Sequence, residues 1–149
     1  MRIIVQKDPF DGGSELNSFT AAQSNMGAIV SFTGIVRDVS AVLKHMDIEH
    51  YPGMTERALK QIASDAMARW DLGDVLVIHR YGKMHPEDPI MMVATASKHR
   101  KDAFEAADFL MDFLKSRAPF WKKEQTLTSD DWVASKQEDE DALKRWSRP

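Results

Sequence analysis

The sequence predicts an α+β fold: two main helices packed on a mostly antiparallel sheet. Two stripes of apolar residues at helical spacing point to it. One is Leu59, Ile62, Ala63, Ala66, Met67 and Trp70; the other is Phe104, Ala107, Leu110, Met111 and Leu114. Short β-branched runs, separated by turns rich in glycine, proline and aspartate, supply the strands. With 149 residues, 43% of them hydrophobic, the chain reads as one domain over 1–149 with a polar tail from about 129. A chain of that length buries enough surface to need no disulfide or metal staple.

Residues 1–6 read as a strand closed by Asp8-Pro9 and Asp11-Gly12-Gly13, after which Ser14 can cap a short helix. Gly27–Val36 alternates as a strand, with Gly34 marking a bulge or a close backbone approach. Met46, Ile48 and His50 continue as another strand up to Tyr51-Pro52-Gly53. The first long helix covers 55–70 and stops at Leu72-Gly73-Asp74. Strands over 75–81 and 89–97 follow, joined by a turn over 82–88 and apolar enough for burial on both faces. The second long helix covers 99–117 and ends at Ala118-Pro119, because proline disfavours a helical residue before it. Phe120–Glu124 then emerges extended. Beyond it, Glu138-Asp139-Glu140-Asp141 reads as a solvated run with short helix at most.

Twenty Lys and Arg against 23 Asp and Glu give a net charge of −3, which argues against a general nucleic-acid binder. Positive charge is in surplus only over 99–123. No apolar run reaches the roughly 20 residues that span a bilayer. MRIIVQKDPF lacks the apolar core of a signal peptide, so a cytoplasmic protein is expected. The chain has no cysteine, which excludes thiol nucleophiles, disulfides and iron–sulfur ligation. Any sulfur chemistry must use sulfur carried by another molecule. His45, His50, His79, His85 and His99 have no metal-ligand spacing, and no metal site is expected.

Lys115 and Lys122 lie on either side of Pro119, whose bend can bring both amines to one place beside Phe120 and Trp121. Crowded or desolvated lysines lose proton affinity and become bases or nucleophiles. Equally, Lys115 could simply complement the dipole at a helix end. His99 and Arg100 open the second long helix, where free backbone N–H groups favour an anion. The alternative is that Ser97 caps that helix while both face solvent. Arg37 ends a strand where sheets commonly line clefts, or it forms a surface ion pair with Asp38. His79 and Arg80 point to opposite faces of one strand, so at least one is structural. Together these groups make a cationic pocket for a phosphorylated small molecule, without identifying it.

Five strings carry a family resemblance. They are Phe32-Thr33-Gly34-Ile35-Val36-Arg37-Asp38, Glu49-His50-Tyr51-Pro52-Gly53-Met54, Val77-Ile78-His79-Arg80-Tyr81-Gly82, Ser97-Lys98-His99-Arg100 with Ala103-Phe104, and the run from Leu114 to Glu124. In this order the chain resembles the large, catalytic subunit of molybdopterin synthase from about residue 3 to Trp132. The turn over 83–88 is more polar than that family's, and the segment after Arg37 looks short.

The resemblance implies an α/β hammerhead fold and a homodimer. It also implies one small ubiquitin-like sulfur carrier per subunit, giving a heterotetramer. The carrier's Gly-Gly end bears a thiocarboxylate. Two such sulfurs pass to cyclic pyranopterin monophosphate, opening its cyclic phosphate and forming the dithiolene of molybdopterin. No resident cofactor, nucleic acid or membrane is implied. By position, Lys115 and Lys122 match the pocket lysines. Arg37, His99 and Arg100 match groups that bind phosphate or the carrier tail, and Phe32, Met111 and Glu124 match other pocket positions. The competing expectation is a phosphate- or nucleotide-binding module without chemistry.

Overall fold

The computed structural model describes residues 1–38, 41–134 and 136–147, so the segment after Arg37 falls partly outside the described residues. In order the elements are β1 (Arg2–Gln6), α1 (Gly12–Ala21), β2 (Ala28–Ile35), β3 (Leu43–His50), α2 (Met54–Arg69), β4 (Leu72–Arg80) and β5 (Gly82–Met84). Then come β6 (Pro89–Ser97), α3 (Arg100–Ser116), β7 (Phe120–Thr126), β8 (Asp130–Val133), α4 (Gln137–Leu143) and a closing 3-10 turn over Lys144–Ser147. None of the described helices is long and apolar enough to cross a membrane.

The α+β class is the one expected, but the strands form two sheets rather than one. The first has the order β1-β4-β6-β2 and the second β5-β3-β7-β8. Among the described residues only β1 and β4 pair in parallel, with Ile3 opposite Val77; the other pairings are antiparallel.

Strand alternation divides the first sheet between two cores. Val75, Val77, Met91 and Val93 face α2, α3 and the second sheet, packing with Leu59, Ile62, Phe109, Leu110, Met46 and Ile48. On the opposite face Leu76, Ile78, Met92 and Ala94 meet Phe19 of α1. Both faces of β4 and β6 are therefore buried, as their composition requires. Each leucine- or valine-sized side chain withdrawn from water in this way contributes about 1.5–3 kcal/mol.

Several local expectations are corrected. Asp11, not Ser14, caps α1: its Oδ1 accepts the Ser14 N–H at 3.0 Å. Helix α2 ends at Trp70 as expected, but Leu72-Gly73-Asp74 opens β4 instead of acting as a stop. The turn after Tyr81 contains β5, whose Met84 is fully buried against the core. Phe104 is 61% exposed on the groove between β2 and α3, and the first half of α3 buries Ala103, Ala106 and Ala107 in its place. The polar tail is also structured. Arg145 pairs with Asp108 at 2.8 Å and Asp112 at 2.6 Å, and Trp146 packs edge-on against Trp70 and Phe109.

One glycine is fixed by a close approach. A Cβ on Gly27 would sit 2.5 Å from the carbonyl oxygen of Lys98, a backbone atom held where β6 passes into α3. Gly27→Ala is expected to cost about 1–3 kcal/mol by forcing these segments apart. The check is the urea midpoint; an unchanged midpoint would show that the contact yields freely.

Candidate active site

The bend between α3 and β7 is built by a few backbone contacts. The N–H groups of Arg117 and Ala118 both reach the Phe113 carbonyl, at 2.7 and 3.0 Å, and Phe120 N–H bonds the Ala118 carbonyl at 2.8 Å. Buried Thr55, at the start of α2, donates its hydroxyl to the Pro119 carbonyl at 3.0 Å and accepts the Tyr51 N–H at 3.0 Å. The chain therefore reverses over a fixed point, with Lys115 in the last turn of α3 and Lys122 early in β7. Alternation along β7 turns Phe120, Lys122 and Glu124 inward and leaves Trp121 on the outer face, where it meets Tyr51.

Both lysines line two adjoining hollows. One, of about 160 Å³, is closed by Ser116, Phe120, Val133, Lys136 and Asp139. The other, of about 70 Å³, lies against Phe32, Gly34, Met91 and Met111. The two share His79, Leu114, Lys115 and Lys122 as a common wall. A more open, apolar groove of about 420 Å³ between β2 and α3 continues from Lys115 past Met111 and Phe32 to Phe104.

Electrostatics distinguish Lys122. Burial first, then the charge of Lys115 and more weakly that of Lys136, push its pKa down to about 8; Asp139 and Glu124 oppose the shift. Such an amine is mostly charged near neutrality yet gives up its proton readily. Burial, with added repulsion from both lysines, pushes His79 down to about 3, so its imidazole is neutral. Its ring stacks on Phe120 with centroids 3.7 Å apart. Ser116 contributes a buried hydroxyl without a hydrogen-bond partner among the described residues.

The predicted residues fall into three places. Lys115, Lys122, Phe32 and Met111 meet at the hollows, and Glu124 acts on Lys122 from the same face of β7. Arg37 is exposed just beyond β2, two residues after Ile35, which lines the narrower hollow. His99 and Arg100 border a separate depression with Gly27, Lys98, Lys101 and Phe104. Helix α3 holds that depression about 22 Å from Lys115, at 1.5 Å of rise per residue. A single chain thus has two cationic places where the sequence suggested one pocket.

His99 caps α3 without a side-chain bond, and Ser97 is not the cap; its hydroxyl donates to the Asp71 carbonyl at 3.0 Å. Both His79 and Arg80 are buried. Arg80 is the structural one, its guanidinium donating to the carbonyls of Lys7 and Pro89.

Sequence reasoning missed His79, Lys136 and Asp139 as pocket residues. For His79 a signal existed: it continues the inward series Val75, Val77 with a polar side chain. Nothing local marked Lys136 or Asp139. They reach the hollow because Arg117 bonds Glu140 at 2.7 Å and the Trp146 anchor draws the last segment across α3.

Fold and pocket together define an α+β protein with a lysine-centred site suited to anionic reactants. The chain belongs to the MoaE protein family, whose model matches residues 5–117. A Cereibacter sphaeroides relative named molybdopterin synthase catalytic subunit is 60% identical over 98% of this chain and 100% of its own length. One of the same name from Ralstonia nicotianae is 53% identical, covering 97% of this chain and 83% of that protein. Among solved structures, the molybdopterin biosynthesis MoaE protein of Burkholderia ambifaria superposes with a TM-score of 0.85 at 45% identity, covering 99% of both chains. The Staphylococcus aureus molybdopterin synthase structure gives 0.80 at 28% identity, over 88% of this chain and 96% of that one.

Proposed function

We propose that this chain is the catalytic subunit of a molybdopterin synthase, a cytoplasmic sulfurtransferase formed as one domain. It takes sulfur from the C-terminal thiocarboxylate of a small ubiquitin-like carrier and passes it to cyclic pyranopterin monophosphate, making the dithiolene. The observation that carries this reading is the shared wall: two adjoining hollows meet at Lys115 and Lys122. A sulfur-bearing tail and an electrophilic pterin carbon can then approach from two sides of the same pair of amines. Lys115 holds or transiently bonds the reacting centre, while Lys122 delivers a proton and stabilises negative charge. Phe32 and Met111 form the apolar side of the site, and Glu124 keeps Lys122 charged.

The distant group of His99 and Arg100, with exposed Arg37, supplies sites for the substrate phosphate or the carrier tail. In a homodimer, and in the heterotetramer made with two carriers, such surfaces can complete a pocket that one chain leaves open. A phosphate- or nucleotide-binding module would use the same cations but has no need of a lysine with a pKa near 8.

Reconstitution tests the reading. The chain, a thiocarboxylated carrier and cyclic pyranopterin monophosphate are expected to yield molybdopterin. The carrier in its plain carboxylate form is expected to yield none. No dithiolene from a folded, carrier-bound chain would overturn the assignment.

A further inference from the structure

The pocket contains a buried titratable group, His79, that the proposed chemistry leaves unused. His79 is 3% exposed, and its Nδ1 lies 2.8 Å from the carbonyl oxygen of Arg80. A carbonyl only accepts, so Nδ1 carries the ring proton and Nε2 keeps its lone pair. The flat stack on Phe120, with 16° between the planes, holds the ring in that orientation. The same imidazole forms part of both hollows, beside Lys115 and Lys122.

Lys122 has need of such an acceptor. Glu124 and Asp139 act on it through charge and not through a hydrogen bond. A carboxylate placed against the amine would raise its pKa and keep the proton on it. A neutral imidazole fixes an N–H direction while favouring the ammonium far less than a carboxylate does, so the proton is still released. The charged or titratable groups facing this corner are Lys115 from α3, Lys122 and Glu124 from β7, His50 from β3, and Lys136 and Asp139 from the C-terminal segment. Of the two imidazoles, His50 is stacked on Tyr81, whereas His79 borders the hollows.

We propose that His79 is a positioning residue for Lys122: in the loaded site its Nε2 lone pair accepts an N–H of the lysine amine and aims that amine at the junction of the two hollows. This rests on the reading of Lys122 as the group that delivers a proton.

The test uses the dead-end complex of the chain with the unreactive carboxylate form of the carrier and cyclic pyranopterin monophosphate. With ¹⁵N-labelled histidine, His79 is expected to show a protonated Nδ1 and an Nε2 resonance displaced by a donor. Lys122→Met is expected to return Nε2 to the position of an unbonded ring nitrogen. A proton on Nε2, or a resonance indifferent to Lys122→Met, overturns the proposal.

Kinetics give an independent readout. His79→Phe keeps the ring stack but removes the acceptor, and about a tenfold loss of kcat with unchanged KM is expected. The limb of the pH profile that belongs to Lys122 moves to lower pH, because an acceptor that favours the ammonium has gone. His79→Gln is expected to recover most of the rate. A folded His79→Phe enzyme with wild-type kcat and pH profile would also overturn the proposal. Full activity of Lys122→Met would instead sink the proton-delivery reading, leaving the nitrogen resonance to decide the hydrogen bond.

Discussion

Lys115→Ala is expected to abolish molybdopterin formation while leaving the fold and carrier binding intact. The fold survives because Lys115 is exposed on the last turn of α3 and bears none of the contacts that shape the bend. Those contacts run through backbone groups of Phe113, Arg117, Ala118 and Phe120 and through the Thr55 hydroxyl. Activity fails because Lys115 is the one amine that touches both hollows and the apolar groove leading from them. Positioned charge and proton transfer are each worth about 10²–10³-fold or more in an active site. A group that also holds the reacting centre should cost at least about 10³-fold in kcat. Lys115→Arg keeps the charge but cannot act as a neutral amine, so it distinguishes the two roles. Recovery by arginine would reduce Lys115 to an anion clamp, and wild-type turnover by the alanine variant would remove it from the mechanism.

The sequence carried the helices and most strands, since periodicity records which face of an element is buried. It did not carry the division into two sheets. Pairing of β3 with β7 joins residues about 75 positions apart, with Ile48 opposite Lys122, and no local pattern encodes that choice. Phe104 shows a related limit: a helical stripe says which side is apolar but not which of its residues, here Ala103, Ala106 and Ala107, take the buried contacts. The last segment was misread for a third reason. Its acidic run has the composition of a solvated tail, yet one tryptophan and one arginine bind it to α3.

In the site, the paired lysines could be read because proline and spacing together dictate a reversal. Within one chain, the separation of His99 and Arg100 from the lysines is a matter of simple length. Both lie at the start of a helix that has Lys115 at its other end, so a rigid rod separates them. Residues that reach a site through tertiary packing, such as Asp139, have no signature in a single sequence at all.

The falling limb of the pH dependence should then report Lys122. When an anionic sulfur attacks carbon, the departing oxygen takes up negative charge, and an ammonium beside it supplies the proton. The active form of Lys122 is therefore the charged one. Turnover is expected to fall as pH rises through the pKa of about 8. Lys122→Ala should lower kcat by about 10²–10⁴-fold and erase the limb, while Lys122→Arg keeps the charge yet stays slow because guanidinium does not release its proton. Neighbouring charges fix the sign of further shifts. Asp139 favours the ammonium, so Asp139→Asn moves the limb to lower pH; Lys136 opposes it, so Lys136→Met moves the limb upward. A limb that rises through this region would make Lys122 a base instead. A limb indifferent to both substitutions would show that the last segment does not close over the pocket during turnover.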